Sequence, residues 1–313
     1  MNTQSARSNL MLLLTAIIWG LAFVAQRIGA SYVGPFTFNG VRFALGSLSL
    51  VPLVLFLNRK SSPRMPQGGA PDRGDLRVVL PAGLAAGLVL FAGAALQQVG
   101  LDYAGTTAGK AAFITGLYIV LVPILGILWK QYVSPSTWLG AVVALVGLYF
   151  LSVRQGFSFS TGDLLELAGS FFWAGHILLI DHLTNKKVNA LKLACTQYAV
   201  CSVLSLAIAM IFENITRTGL REAAIPILYG GFLSVGVAYT LQIFGQKHAQ
   251  PAHAAIIMSL ETVFAALGGF VILHESLGPR GIAGCSLMFA GMLLSQWRAL
   301  RLNERQDRSV NTA

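Results

Sequence analysis

The run Val78-Val79-Leu80-Pro81-Ala82-Gly83-Leu84-Ala85-Ala86-Gly87-Leu88-Val89-Leu90-Phe91-Ala92-Gly93-Ala94-Ala95-Leu96-Gln97-Gln98-Val99-Gly100-Leu101 contains no Asp, Glu, Lys or Arg, and its reading decides the fold class. A helix that crosses a bilayer needs about 20 mostly apolar residues to cover about 30 Å of hydrocarbon. Uncharged windows of similar length run from Ser8 to Gln26, Ala111 to Trp129, Gln131 to Val153, Leu193 to Phe212 and Ala223 to Gln246. They are continuous, whereas a membrane β-barrel shows ten-residue stretches of alternation. With weaker windows that carry one or two charges, the pattern predicts ten spans. These lie near residues 9–29, 35–57, 76–98, 105–128, 136–153, 163–184, 190–212, 223–245, 252–274 and 279–298. The expected class is an all-α integral membrane protein with ten transmembrane helices.

Composition agrees and closes other routes. Hydrophobic residues make up 55% of the chain and charged residues 11%, with a mean hydropathy of +0.67. Soluble domains carry about a quarter charged residues, and disorder requires low hydrophobicity with high charge. The glycines show no collagen period, and three cysteines are too few for a disulfide scaffold. The connection Asn58–Asp75, rich in Pro, Gly and charge, reads as a loop. The first span lacks a small-x-small cleavage signal and reads as a retained helix.

Basic residues are distributed unevenly. Arg7, Arg59, Lys60, Arg64, Arg73, Arg77, Lys130, Lys186, Lys187, Lys192, Lys247, Arg298, Arg301, Arg305 and Arg308 fall on one side of the expected bundle. Arg154, Arg217, Arg221 and Arg280 fall on the other. By the positive-inside rule both termini are expected in the cytoplasm, in an inner or plasma membrane. The net charge of +10 then reflects short loops facing anionic lipid. A nucleic-acid partner would need a basic cluster interleaved with aromatics, and none is present.

The opening run also begins an internal repeat. Leu96-Gln97-Gln98-Val99-Gly100 and Ala104 correspond to Leu241-Gln242-Ile243-Phe244-Gly245 and Ala249. Val133-Ser134-Pro135, Gly140 and Gly147 correspond to Leu277-Gly278-Pro279, Gly284 and Gly291, and Trp19 corresponds to Trp173. Ten spans thus divide into two five-helix repeats, residues 1–155 and 156–300, followed by a charged tail, 301–313. An odd number of spans per repeat inserts the second repeat upside down. Inverted repeats belong to secondary transporters whose substrate site lies between the halves near the midplane.

Several stretches match a known family: Ala16-Ile17-Ile18-Trp19-Gly20-Leu21-Ala22-Phe23, Val41-Arg42-Phe43-Ala44, Thr106-Thr107-Ala108-Gly109-Lys110-Ala111-Ala112-Phe113-Ile114-Thr115-Gly116-Leu117-Tyr118 with Pro123, Ser259-Leu260-Glu261-Thr262-Val263-Phe264-Ala265-Ala266-Leu267, and His274-Glu275-Ser276-Leu277. On these residues the chain resembles the EamA-type permeases of the drug/metabolite transporter (DMT) superfamily over essentially its whole length. The resemblance implies ten helices in two inverted halves and export of a metabolite or amino acid. Thr262 departs from the pattern, since the family often has Pro after the Glu, so a Pro-induced break in span nine is not expected here.

Charges within the membrane are costly and mark candidate sites. Glu261 lies roughly 13 Å inside span nine, with Gly116 as its expected repeat mate. It reads either as a carboxylate that accepts a proton or binds a substrate ammonium, or as a structural Glu tied to a hydroxyl or amide. His176 is expected at a similar depth, as a proton relay or as a neutral His bonded between helices. Arg42 and Lys110, each roughly 10 Å below the outer boundary, either snorkel to the interface or face the cavity. The Arg42 reading favours helix–helix structure. A cationic pair above one carboxylate would suit a zwitterion. Trp19, Gln26, Asn39, Gln97, Tyr118, Trp173, Gln197, Tyr239 and Gln242 are candidate polar and aromatic walls. Trp129, Trp138 and Trp297 read as interfacial. Gly83/Gly87 and Gly105/Gly109 read as close helix contacts, and Asp181-His182 as a solvated helix end.

No metal motif or phosphate-binding loop occurs, so no catalytic residues, metal or cofactor are expected. The expected function is secondary transport of a small polar metabolite, with possible partners being the substrate, membrane lipid and a second copy in a homodimer. An uncoupled facilitator, a membrane enzyme and a scaffold are the alternatives.

Overall fold

The computed structural model describes residues 3–60, 75–103, 108–152, 160–274 and 278–311, and among these every regular element is a helix. The long helices are α1 (Thr3–Gly29), α2 (Pro35–Lys60) and α3 (Leu76–Asp102). The fourth segment is divided into α4 (Ala108–Thr115) and α5 (Tyr118–Leu128), and is followed by α6 (Pro135–Ser152), α7 (Thr161–Asn185) and α8 (Ala190–Phe212). After the short α9 (Arg217–Glu222), one continuous segment begins as α10 (Ala224–Leu228), widens into a π-helix over Tyr229–Tyr239 and ends as α11 (Thr240–Gln246). α12 (Pro251–Met258), α13 (Glu261–Ile272) and α14 (Pro279–Asn311) complete the chain.

Among the described residues, eight helical segments are long and apolar enough to cross a membrane, and Pro135–Leu151 is a shorter apolar helix. The predicted spans near 136–153 and 279–298 coincide with α6 and the first part of α14, and α14 continues to Asn311. Most of the Asn58–Asp75 connection, Gly105, Arg154 and Glu275–Leu277 lie outside the described residues.

The helices are sorted for a hydrocarbon solvent. On α3, Leu80, Leu84 and Leu88 point outward, while Gly83, Ala86, Gly87, Leu90, Gly93, Ala94 and Gln97 are buried. Lipid is as apolar as leucine, so helices associate through close backbone approach and internal hydrogen bonds, and small residues gather at the contacts. A Cβ on Gly83 would lie 2.5 Å from Thr196, and one on Gly87 2.6 Å from Val200, so this glycine pair seats α3 on α8 as expected. α6 and α14 meet backbone to backbone. A Cβ on Gly140 would lie 2.6 Å from the Gly291 carbonyl, and one on Gly147 2.6 Å from the Gly284 carbonyl. The contacts are reciprocal, since Gly284 and Gly291 face Gly147 and Gly140 in turn at the same distance, 2.6 Å.

Two segments are interrupted by the same device. Between α4 and α5 the backbone tightens: Leu117 N donates to Ile114 O, Ile119 N to Gly116 O and Val120 N to Leu117 O. Between α12 and α13, Leu260 N donates to Ile257 O, Thr262 N to Ser259 O and Val263 N to Leu260 O. Each is an i→i−3 bond, a local 3₁₀ tightening. The interruption of span nine therefore forms without a proline, so Thr262 removes the proline but not the break. Its register also corrects the expected repeat mate of Glu261: the residue that opens α5, as Glu261 opens α13, is Tyr118 rather than Gly116.

Candidate functional site

The interruptions, the π-helix and α1, α2, α3 and α7 enclose a small central cavity. Its walls are Trp19, Ala22, Phe23 and Gln26 from α1, Arg42 from α2, Gln97 from α3, Thr115 and Tyr118 from the first interruption, and Trp173 and Ile177 from α7. Ser234 and Tyr239 of the π-helix, Gln242 of α11 and Glu261 of α13 complete them. The space open to water is about 30 Å³, room for roughly two water molecules.

Each polar wall has a local structural cause. Glu261 is 4% exposed, and Tyr118 Oη donates to its Oε1 at 3.0 Å, so the openings of α5 and α13 meet through these two side chains. Thr262 Oγ1 donates to Ala112 O at 3.0 Å, tying the two interruptions together one residue further on. Arg42 is 2% exposed. Its Nε donates to Asn39 Oδ1 at 3.0 Å, and its guanidinium lies 5.4 Å from the Phe38 ring centre and 5.1 Å from that of Phe43. Asn39 in turn donates to Ala94 O at 2.8 Å, which fixes its orientation. Gly230 leaves room for this arginine, since a Cβ there would lie 3.2 Å from Arg42 Cδ. Arg42 thus lines the cavity, and neither snorkels nor serves only helix packing.

The cavity contains a cation and a carboxyl that are not paired with each other. Among the described residues the salt bridge is Lys110–Asp163, at 2.7 Å. Lys110 is therefore not part of the cavity wall; it closes the boundary between α4 and α7. The expected pair of cations above one carboxylate reduces to Arg42 alone.

Aromatic rings form the apolar lining. Tyr239 lies 4.5 Å from Trp19 and 6.1 Å from Trp173, ring centre to ring centre, so the two repeat-related tryptophans share one tyrosine. Their polar edges differ: Trp19 Nε1 donates to Ser234 O at 3.3 Å, while Trp173 Nε1 has no partner. Gln242 Oε1 is also unpartnered, and its repeat mate Gln97 is joined to Gln26 at 3.4 Å. An unpartnered polar group costs several kcal/mol in a bilayer, and these two buried atoms belong to residues of one cavity wall.

Of the remaining candidates, His176 lies behind the wall. Its ring is edge-on to Trp173 and Tyr239, and its Nε2 is 2.9 Å from Gln197 Oε1 on α8. Asn39 is outside the cavity wall and is bonded to Arg42 and to Ala94 O. Three groups were not anticipated. Thr115 and Ser234 line the cavity but carry no charge that would single them out in a sequence. Glu166 is fully buried and accepts from Thr115 Oγ1 at 3.0 Å. It lies in the first turn of the predicted span 163–184, where an acid reads as a helix end. Asp181, read as solvated, is 7% exposed and accepts from Gln131 and Asn185 at 3.2 and 3.1 Å.

Space widens toward one end of the bundle. A cavity of about 620 Å³ is bordered by Val54, Asn185, Lys187, Lys192, Lys247 and His248. A second, of about 440 Å³, is bordered by Gln131, Asp181, Gln246, Lys247 and Gln250. Burial lowers the pKa of the Lys247 ammonium from its ordinary value. Gln246, one helical turn beyond Gln242, donates to Ile177 O at 3.1 Å and stands between this vestibule and the centre.

A bundle of apolar helices around a small cavity lined by polar and aromatic side chains, built on interrupted helices, is the architecture of a multi-pass membrane transporter. The chain belongs to the EamA-like transporter family, which it matches over residues 6–153 and again over 160–297, in keeping with the DMT superfamily. It is 32% identical over 293 residues to an uncharacterized transporter of Archaeoglobus fulgidus, covering 93% of this chain and 86% of that one. It is 22% identical over 309 residues to a probable amino-acid metabolite efflux pump of Salmonella typhimurium, covering 93% and 95%. A crystal structure covers 95% of this chain and 99% of its own with a TM-score of 0.75 at 19% identity, a likeness of fold. Members of this family are transporters, and transport is the activity assigned to the chain.

Proposed function

We propose that the chain exports a small zwitterionic metabolite, such as an amino acid, across the inner or plasma membrane. The observation that carries this reading is that Arg42 and Glu261 line one cavity without pairing. A buried guanidinium facing a membrane-embedded cavity calls for an anion. A substrate carboxylate on Arg42 and its ammonium on Glu261 would satisfy both, with Trp173 Nε1 and Gln242 Oε1 as further contacts and Trp19, Trp173 and Tyr239 around the side chain. The name of the Salmonella relative, with its amino-acid metabolite, is compatible with this class.

In the proposed cycle the two inverted halves, 1–155 and 156–300, rock about the cavity, and Glu261 takes up a proton when the substrate ammonium leaves. The reciprocal contacts of Gly140 with Gly291 and of Gly147 with Gly284 support the inverted arrangement, because two-fold related elements touch in this way. The vestibule lined by Lys187, Lys192 and Lys247 would be the cytoplasmic entrance, with both termini on that side. Comparing metabolites inside and outside cells with and without the protein tests substrate and direction together: export predicts an extracellular compound that carries both ammonium and carboxylate. In proteoliposomes under an imposed pH gradient, Glu261→Gln should abolish gradient-driven flux of that compound. Unchanged flux would leave an uncoupled facilitator.

A further inference from the structure

Glu166 is a buried ionisable group that the proposed cycle does not use. It is fully buried on α7, a turn inside the bundle from Asp163. Its Oε2 accepts the Thr115 hydroxyl at 3.0 Å, and its Oε1 has no partner. Thr115 itself lines the central cavity, so one hydroxyl separates Glu166 from the space that Glu261 faces. The carboxyl fits because α3 presents a glycine there: a Cβ on Gly100 would lie 2.9 Å from Glu166 Cγ and 3.2 Å from Oε1.

On its other side Glu166 is followed by groups that lead outward. Asp163 is three residues earlier and so on the same helix face. Asp163 takes both of its donors on one oxygen, Ser160 N to Oδ2 at 2.6 Å and Lys110 Nζ to Oδ2 at 2.7 Å, and its buried Oδ1 has no partner. The Lys110 side chain is 17% exposed. The charges that act on Glu166 from the packed elements are Asp163 on its own helix and Glu261 on α13, and Lys110 on α4 partners the first of these. From the boundary inward the groups follow in order: Lys110 bonded to Asp163, then Glu166 one helical turn on, bonded to Thr115, and then the cavity with Tyr118 and Glu261.

We propose that Glu166 is a second proton-binding site of this protein, separate from Glu261, which exchanges its proton with the aqueous phase at the Lys110–Asp163 end of the bundle. Its use in transport rests on the proton-coupled reading above: Glu261 would serve the cavity and Glu166 the route by which a proton reaches or leaves the opposite side. The site itself is independent of any substrate. A carboxyl is suited to this role because one of its oxygens is held by Thr115 while the other is free to carry the proton.

Infrared difference spectra of the full-length protein in lipid bilayers, recorded between alkaline and acidic buffers, test the site. The carbonyl stretch of a protonated carboxyl reports each buried acid separately. The expected result is two pH-dependent components. Glu166→Gln should remove one and Glu261→Gln the other. Thr115→Val should shift only the Glu166 component, because it removes the hydroxyl donor, and it serves as the second variant if Glu166→Gln does not fold. Lys110→Met should change the pH midpoint of the Glu166 component and leave that of Glu261 in place. A Glu166 component that is missing, or that keeps constant amplitude over the whole pH range, would overturn the proposal. Loss of titration at Glu261 with Glu166 still titrating would instead break the proton-coupled transport reading and leave the second site standing.

Discussion

The two interrupted helices differ in their chemistry although their backbones agree. In both, three i→i−3 bonds tighten the chain, and a new helix begins two residues after the break residue, at Tyr118 after Gly116 and at Glu261 after Ser259. The first break is built on glycine, Gly116, and opens with a phenol. The second is built on Ser259, whose hydroxyl donates to Ile256 O at 2.9 Å, and opens with a carboxyl. Because the two openings face each other, the phenol donates to the carboxyl across the cavity at 3.0 Å. A repeated backbone thus yields an asymmetric site. The geometry of the break is carried by the main chain, while the polarity of the cavity depends on single side chains placed at its mouth.

That comparison can be tested by substitution. The largest effect is expected at Glu261. Removing one member of a buried charged contact costs about 2–5 kcal/mol, so Glu261→Gln should lower substrate affinity by about thirtyfold or more, measured by binding to the purified protein, with little change in thermal unfolding. An unaltered affinity would mean that the two break openings are equivalent after all.

Next come the paired glycines of α6 and α14. Gly147→Val and Gly291→Val each force a side chain against a backbone carbonyl that cannot move aside, and overpacking of this kind costs about 1–3 kcal/mol. Equal losses in thermal unfolding are expected of the two variants, because they are repeat mates in reciprocal contacts. Clearly unequal losses would break the two-fold comparison at this seam.

Tyr118→Phe removes the hydrogen bond from Tyr118 to Glu261, worth about 0.5–1.5 kcal/mol. It should weaken substrate binding by less than Glu261→Gln and leave the fold intact, and the ratio of the two effects measures how unequal the openings are. The smallest change is expected from Thr262→Val. Ala112 O keeps its bond from Gly116 N at 2.9 Å when the threonine hydroxyl is lost, and interhelical bonds of this type in membranes average about 0.6 kcal/mol. A loss of several degrees in unfolding temperature would show that the side-chain tie, rather than the backbone, maintains the second interruption.

Much of the architecture was legible in the linear sequence because hydrocarbon is an unforgiving solvent. Uncharged runs such as Val78–Leu101 have no alternative to a buried or membrane helix, and the repeat of Leu96-Gln97-Gln98 at Leu241-Gln242-Ile243 placed a glutamine from each half on the central cavity. Trp19, Trp173, Tyr118, Tyr239 and Glu261 are likewise candidates by depth and polarity and line that cavity, as does Arg42, whose reading favours helix–helix structure. Depth along a helix follows from counting residues.

What counting does not supply is the face of the helix and the partner across it. Lys110 and Arg42 have similar expected depths, yet Lys110 meets Asp163 and Arg42 meets the cavity, because α4 packs on α7 there while Gly230 of the π-helix leaves space beside α2. Glu166 is hidden by the same limitation. Three residues beyond Asp163 in sequence, it is a buried carboxyl only because Gly100 of α3 and Thr115 of α4 close over it. The runs, the repeat and the charge bias of the sequence therefore determine that this chain is a helical membrane protein and where its polar groups lie in depth. Which of those groups face one another is decided by packing, since the rotation of each helix is set by the small residues of its neighbours.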